Sequence, residues 1–328
     1  MSATGRPADL ERLADALALT APAKRRRMLV IVNPYASTVS DRLKGLVVHA
    51  LAGRYEVDAV DTRARDHATA LCREARDEGY DVVVAFGGDG TLNEAANGLA
   101  GGGVALTCLP GGATNVMCRM LGIPVDIVDA TEHLLHLADR WAPRRMDLGW
   151  VDDRAFTFSA GLGLDAAVVE RVDRHPRLKT RFGQWYYAQV ALSTFTRRYL
   201  VRAPRMRVTH GGEEVEGVTT VVQNGEVLSY FGTRPLPVAQ DVALDDGTLG
   251  AVVLRRASPI DIPSVMGRLF LPAPVAGHRQ VTAWSKVTDL EVTSLDGGGI
   301  PLQVDGNHLG EVTRARFSVQ PGGLTMVA

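Results

Sequence analysis

The sequence predicts an α/β-plus-β protein: an N-terminal parallel α/β domain followed by a C-terminal β-sandwich-type domain. Three observations predict it. Apolar strand patterns alternate with helical stripes at short spacing over residues 28–147, as in a parallel sheet covered on both faces. From residue 148 to about 311, short strand patterns follow one another with turn residues between them. In the first part, each glycine- or asparagine-rich loop falls where an apolar strand ends.

The elements follow in order. The N-terminal extension, residues 1–27, carries acids throughout and lacks the apolar core of a secretory signal. Residues 9–19 have the pattern of a short amphipathic helix. "MLVIV" (Met28 to Val32) reads as a strand buried on both sides and ends at Asn33-Pro34. Leu43, Leu46, Val47, Ala50 and Leu51 fall at helical spacing. "YEVDAVDT" alternates as a second strand, and Asp66 stands as N-cap to a stripe of Ala68, Leu71, Cys72 and Ala75. "DVVVAF" is a third strand, followed by a helix from Thr91 to Ala100. "VALTCL" is a fourth, ending in "PGGATN". A helix near Asp129 to Asp139 closes this part.

Strands are then expected in "RRMDLGWVDD", "RAFTFSAG", "RMRVTHGG", "EVEGVTTVVQNG", "LGAVVLRR", "VTDLEVTSL", "LQVDGNHLG" and "RARFSVQPG". A helical stretch around Phe182 to Tyr199 interrupts them. The boundaries read as 1–27, 28–147 and 148–311, with 312–328 available to complete the first domain.

Composition narrows the class. The 328 residues are 46% hydrophobic and 22% charged, values of a soluble globular protein. No run approaches the roughly 20 apolar residues that span a bilayer. Three scattered cysteines, Cys72, Cys108 and Cys118, show no metal spacing and suit a reducing, cytoplasmic compartment. The net charge of −1 conceals a segment from Arg171 to Arg207 with ten Lys/Arg and one acid, Asp173. Together with Trp185, Tyr186 and Tyr187 it reads either as a patch for an anionic membrane or as a solvated arginine-rich face. Aromatics interleaved for stacking on nucleic acid are absent, which sets that partner aside.

Three loops carry the chemistry: "NPYAS", "GGDGT" and "PGGATN". A hairpin does not explain "GGDGT", because a helix pattern follows it rather than a returning strand. Glycines expose backbone N–H groups, and a helix start favours anions, so the loop reads as a phosphate cradle. Asp89 inside it would repel phosphate unless a Mg²⁺ ion or a hydroxyl proton came between; an Asx-turn is the plainer account. No G-x-x-x-x-G-K-[ST] is present. "GLGLDA" fits a dinucleotide fingerprint, but no acid follows between Arg174 and Gly212, so that reading fails. His133 and His136 stand three apart without a third ligand. His308 and "KRRR" (Lys24 to Arg27) read most simply as a turn residue and a solvated entry to the first strand.

In these blocks the sequence resembles the diacylglycerol kinase catalytic-domain family, which includes bacterial lipid kinases and sphingosine kinases. "VNPYAS", "GGDGTLNEAANGL", "LPGGATNVMCRMLGIP", "FSAGLGLDAAVVERV", "VVQNGEVLSYFGTRPLPVAQDVALDDGTL" and "LQVDGNHLG" resemble its landmarks in order. The resemblance covers nearly all of residues 28–328. It implies a phosphofructokinase-like nucleotide domain, a β-rich lipid domain, and ATP-dependent phosphorylation of a lipid hydroxyl, diacylglycerol first. It further implies that Asn33 and Thr62 approach the nucleotide, that Gly87, Gly88, Gly90 and Thr91 line the phosphates, and that Glu94 supports the loop. Gly111, Gly112, Thr114 and Asn115 form the adjoining wall. Asp305 faces Asp89 with Mg²⁺ between, and Asp246 with the Leu249 carbonyl forms a second, structural metal site.

Either aspartate qualifies as base; Asp89 is favoured as proton acceptor and Asp305 as the metal-side group. Asn307 stands where the family usually has Glu, keeping an oxygen ligand but losing its charge. Ala113 and Thr114 shift the usual threonine, and Val116 replaces a frequent Asp. The implied partners are a lipid substrate and an anionic membrane bound peripherally, with a homodimer allowed. Two rivals remain: an NAD kinase, which shares a Gly-Gly-Asp-Gly block, and a lipid-binding protein of kinase ancestry weakened at Asn307.

Overall fold

The computed structural model describes residues 25–36, 39–174, 186, 189–191, 193–199, 203–270 and 273–328. The first part runs β1 (Arg27–Val32), α1 (Asp41–Leu51), β2 (Glu56–Asp61), α2 (His67–Asp77), β3 (Val82–Gly87), α3 (Asp89–Leu99), β4 (Ala105–Pro110), α4 (Val116–Met120) and α5 (Ile127–Leu137). Strands β2, β1, β3 and β4 lie parallel in that order. Every residue of β3 and β4 is buried, which is why their sequences are continuous rather than alternating. Helix residues Leu51, Cys72, Leu99 and Leu134 pack with Phe86 and Leu106 into the core.

The second part begins with β5 (Arg144–Val151), β6 (Arg154–Phe156), β7 (Ser159–Leu162) and α6 (Leu164–Asp173). It continues through β8 (Met206–His210), β9 (Glu213–Gly217), β10 (Thr219–Gln223), β11 (Val227–Phe231), β12 (Arg234–Pro237), β13 (Leu249–Leu254) and α7 (Ile262–Phe270). The last strands are β14 (Val281–Val287), β15 (Asp289–Ser294), β16 (Ile300–Val304), β17 (Asn307–Val312) and β18 (Arg314–Met326). Six of them form an antiparallel sheet in the order β14-β13-β10-β7-β16-β17. The long β18 brings the chain end back to the first sheet, pairing with β4, β5 and β15. Phe156 and Phe317 meet edge-on at 6.4 Å in the core between the sheets.

Several expectations change. "LQVDGNHLG" is not one strand but the β16–β17 hairpin, with Asp305 (φ 46°) and Gly306 (φ 75°) as its two turn residues. Asp-Gly is the pair that a type I′ hairpin turn requires. "EVEGVTTVVQNG" likewise divides into β9 and β10. The β11–β12 hairpin, α7 and β14 lie outside the expected strands; proline at 235, 237 and 263 obscured the first two. Asp66 adopts φ 60° and its side chain does not cap α2; Glu94 Oε2 accepts from Ala68 N instead.

Trp185, Tyr187 and residues 175–184, 188, 192 and 200–202 of the arginine-rich segment lie outside the described residues. Tyr186, partly buried, packs against Val168, Val172 and Val190. Residues Phe195–Tyr199 of the expected helix form a π-helical turn. No helix among the described residues is long and apolar enough to cross a membrane.

Candidate active site

The carboxyl ends of the parallel strands bring the predicted loops together, as in open α/β sheets generally. Asn33, just after β1, donates from its backbone to Phe86 O and from Nδ2 to Thr91 Oγ1 (3.2 Å). Thr62, just after β2, donates to Val32 O. The loops after β3 and β4 lie directly against each other, and Gly111 N donates to Gly87 O at 2.8 Å. A Cβ on Gly111 would stand 2.8 Å from Gly87 Cα, and one on Gly112 2.9 Å from Gly88 Cα. The glycines therefore serve first to let two backbones touch. Asn115 locks the second loop: its Oδ1 accepts from Gly112 N and its Nδ2 donates to Gly112 O.

A cavity of about 450 Å³ opens beside these loops, between the two parts of the molecule. Of the predicted residues, Asn33, Thr62, Gly90, Thr91, Glu94 and Asn307 line it. Gly87, Gly88, Asp89, Gly111, Gly112, Thr114 and Asn115 are not among its lining residues; Gly88, Asp89, Gly112 and Thr114 are partly exposed beside it. Tyr35, Ala64, Arg65, Arg154 and His308 complete the lining. The Asn307 amide lies over the first loop, so that a Cβ on Gly90 would meet its Oδ1 at 2.8 Å.

The two aspartates differ sharply. Asp89 is half-buried at the start of α3, where Oδ1 accepts from Met117 N at 3.2 Å. Burial pushes its pKa up to about 6, and the nearby Asp305 charge adds to this, against backbone bonds from Val116 and Met117. Asp305 is only 2% exposed. Its Oδ2 accepts from Asn93 Nδ2, Thr157 N and Thr157 Oγ1 at 2.7–2.8 Å, and its Oδ1 from Phe158 N and Ser159 N at 3.0–3.1 Å. Burial raises its pKa too, against the backbone N–H groups of Ser159, Thr157 and Phe158 and the Thr157 hydroxyl.

A carboxylate offers about four lone pairs, and five donors gather around those of Asp305. In this arrangement Asp305 anchors the β16–β17 turn to the 157–159 segment.

The expected second metal site lies at the loop before β13. Asp246 closes its own loop, accepting from Ala243 N, Thr248 N and Thr248 Oγ1 at 2.8 Å each. Leu249 is buried within β13. The buried Asp147 secures that loop from beneath, accepting from Gly247 N and Gly322 N. No group of three or more His, Cys, Asp or Glu side chains that could hold a metal gathers among the described residues, His133 and His136 included. The three cysteines are buried and free.

Sequence reasoning missed the residues that join the two walls of the cleft. Asn93, 1% exposed, donates to Asp305 Oδ2 and to Ala155 O, while Asn97 exchanges hydrogen bonds with the backbone of Ala155. Arg154 reaches back to Asp66 and Asn93, and Arg65 reaches forward to His308 O. The available signal was two asparagines four apart in "GTLNEAANGL", both on the helix face toward the second part.

Two family models match the chain: the diacylglycerol kinase catalytic domain over residues 27–151, and the YegS C-terminal NAD kinase beta sandwich-like domain over residues 158–328. A diacylglycerol kinase of Staphylococcus aureus is 27% identical over 293 residues, covering 88% of each chain. One of Staphylococcus saprophyticus is 26% identical over 295 residues, covering 88% of this chain and 91% of the other. A crystal structure of a diacylglycerol kinase from Bacillus anthracis str. Sterne shares the fold at TM-score 0.70, with 24% identity over 93% of this chain and 98% of that one.

Proposed function

The chain belongs to the diacylglycerol kinase catalytic-domain family, and from that premise we propose that it transfers the γ-phosphate of ATP to a lipid hydroxyl, with diacylglycerol as first candidate. The observation that carries the reading is the cavity between the two parts, lined at the end of the Gly-Gly-Asp-Gly loop by Gly90, Thr91 and Glu94. Asn33, Thr62 and Thr91 offer hydroxyl and amide groups to the nucleotide, and the backbone of Gly90 opens α3 toward it. The relatives named diacylglycerol kinase point the same way.

The chemistry is in-line displacement: the lipid oxygen bonds to phosphorus, the bond to ADP breaks, and the hydroxyl proton leaves. Asp89 accepts that proton. A pKa of about 6 makes it ionised at neutral pH and basic enough to act. Asp305 holds the wall opposite without taking part. Mg²⁺ takes one or two carboxylates beside substrate phosphates; here Asp89 would supply one and the Asn307 amide oxygen a neutral ligand. When bound, the ion would neutralise charge on the transferred phosphoryl group.

One observation favours a second reading, a weakened lipid-binding protein: Asn307 is neutral and Asp305 is fully committed, so Asp89 lacks a second carboxylate partner in the turn. Transfer of labelled phosphate from ATP to a panel of diacylglycerol, sphingoid base and NAD tests all of these. Label on a lipid supports the proposal; label on NAD alone overturns it; no label with retained lipid binding supports the second reading.

A further inference from the structure

The cleft contains a cation that neither family model covers. Arg154 lies between their matched stretches, at the start of β6. It lines the cavity from the wall opposite the glycine loops. A guanidinium presents five N–H donors in a rigid fork. Here Nη1 donates to Asp66 Oδ1 at 2.8 Å and Nη2 to Asn93 Oδ1 at 3.0 Å. Nε is buried and has no partner among the described residues. A buried donor left unpaired is costly, and a permanently charged one most of all. Asp66 is itself a loose partner: its side chain is 52% exposed, and Arg154's is 23% exposed.

The charge around the cavity sharpens the point. No lysine lines it, and its permanent side-chain cations are Arg65 and Arg154. Arg65 is exposed and already donates to the His308 carbonyl. Glu94 lines the same space but is engaged at Ala68 N. A polyphosphate entering here brings several negative charges to a site that otherwise supplies backbone amides and hydroxyls. Arg154 is the group positioned to meet them, since a guanidinium edge matches the spacing of phosphate oxygens.

We propose that Arg154 is a phosphate-binding residue of this cleft, held in reserve by Asp66 and released to the polyphosphate when nucleotide enters. The inference rests on the nucleotide reading above but adds a residue and a mechanism to it. Asp66 competes with phosphate for one side chain, so the two residues have opposite effects on affinity. A merely structural bridge between the walls gives the same effect from either end.

The test is equilibrium binding of ATP, tripolyphosphate and adenosine to the full chain and to Arg154→Gln, Arg154→Lys and Asp66→Asn. Arg154→Gln should weaken ATP and tripolyphosphate by about tenfold or more, as for a lost charge-assisted contact, and leave adenosine unchanged. Retained adenosine binding doubles as proof that the variant is folded. Arg154→Lys should fall between, keeping the charge without the fork. Asp66→Asn should tighten polyphosphate by about two- to fivefold, because an exposed ion pair competes only weakly. Equal weakening by Arg154→Gln and Asp66→Asn, or unaltered ATP affinity in Arg154→Gln, overturns the inference while leaving the nucleotide site standing. A wild-type chain that binds no ATP overturns the nucleotide reading, and the inference with it.

Discussion

The loop after β3 and the turn between β16 and β17 invite comparison. Each places an aspartate before a glycine, Asp89-Gly90 and Asp305-Gly306, and the Asn307 side chain that follows the second turn touches the first. Asp305 sits in a two-residue turn among five hydrogen-bond donors. Asp89 opens a helix, meets fewer donors, and stays half-buried with a raised pKa. Two carboxylates alike in sequence context thus meet different surroundings, one anchored on every side and one that we propose as the reactive group. The number of donors around each oxygen sets the role, not the motif that contains it.

The largest effect expected from breaking this contrast is on catalysis. Asp89→Asn should lower phosphoryl transfer by about 10²- to 10⁴-fold, the range for a lost acid–base group. Stability should not fall with it. The folded pKa of about 6 lies above the ordinary value of 3.8, so this group's contribution to stability is full below 3.8 and lost as pH rises through about 6. A neutral Asn removes that cost, and the thermal midpoint at pH 8 should hold or rise.

Asp305→Asn should do the reverse. Turning an amide toward four N–H donors leaves buried groups unpaired, and unfolding in urea should show a loss of about 3–5 kcal/mol. Were Asp305→Asn to keep full stability and abolish transfer, the two roles would have to be exchanged.

Much of this was legible before any coordinates. The continuous apolar runs marked β1, β3 and β4, and their loop residues converge because parallel strands end on one side. The hairpin at Asp305-Gly306 was not expected, since "LQVDGNHLG" reads as one strand, although Asp-Gly between apolar alternations carries a strong turn signal. What no local pattern carries is the state of the Asp305 carboxylate. Its partners, Asn93 and residues 157–159, are about 150 to 210 positions away in the chain. Arg154 escaped notice for the same reason: its neighbours Asp66 and Asn93 come from the other wall.

The paired glycine loops give a mid-sized test of how the first region is built. Gly112→Ala puts a methyl 2.9 Å from Gly88 Cα, where the obstacle is backbone and not a mobile side chain. Overpacking of this kind costs about 1–3 kcal/mol. Because the displaced backbone belongs to the Asp89 loop, KM for ATP should rise alongside. A Gly112→Ala chain with unaltered stability and KM would mean that the loops separate freely and that the glycines serve only the ligand.

The smallest effect, and the one that reads the coupling between the two regions, comes from Asn307→Glu. Transfer requires ionised Asp89, so kcat/KM should fall on the acid side with a midpoint near pH 6. The Asn307 side chain already lies over Gly90, next to Asp89. A carboxylate placed there disfavours a second negative charge, so the acid limb should move to higher pH by up to about one unit. Added Mg²⁺ should shrink the displacement, because a bound cation shields each carboxylate from the other. Asp89→Asn and Asn307→Glu combined should show no such limb near pH 6. If the limb persists without Asp89, the titrating group is another lining residue, and His308, beside Asn307 on the same strand, is the next to substitute.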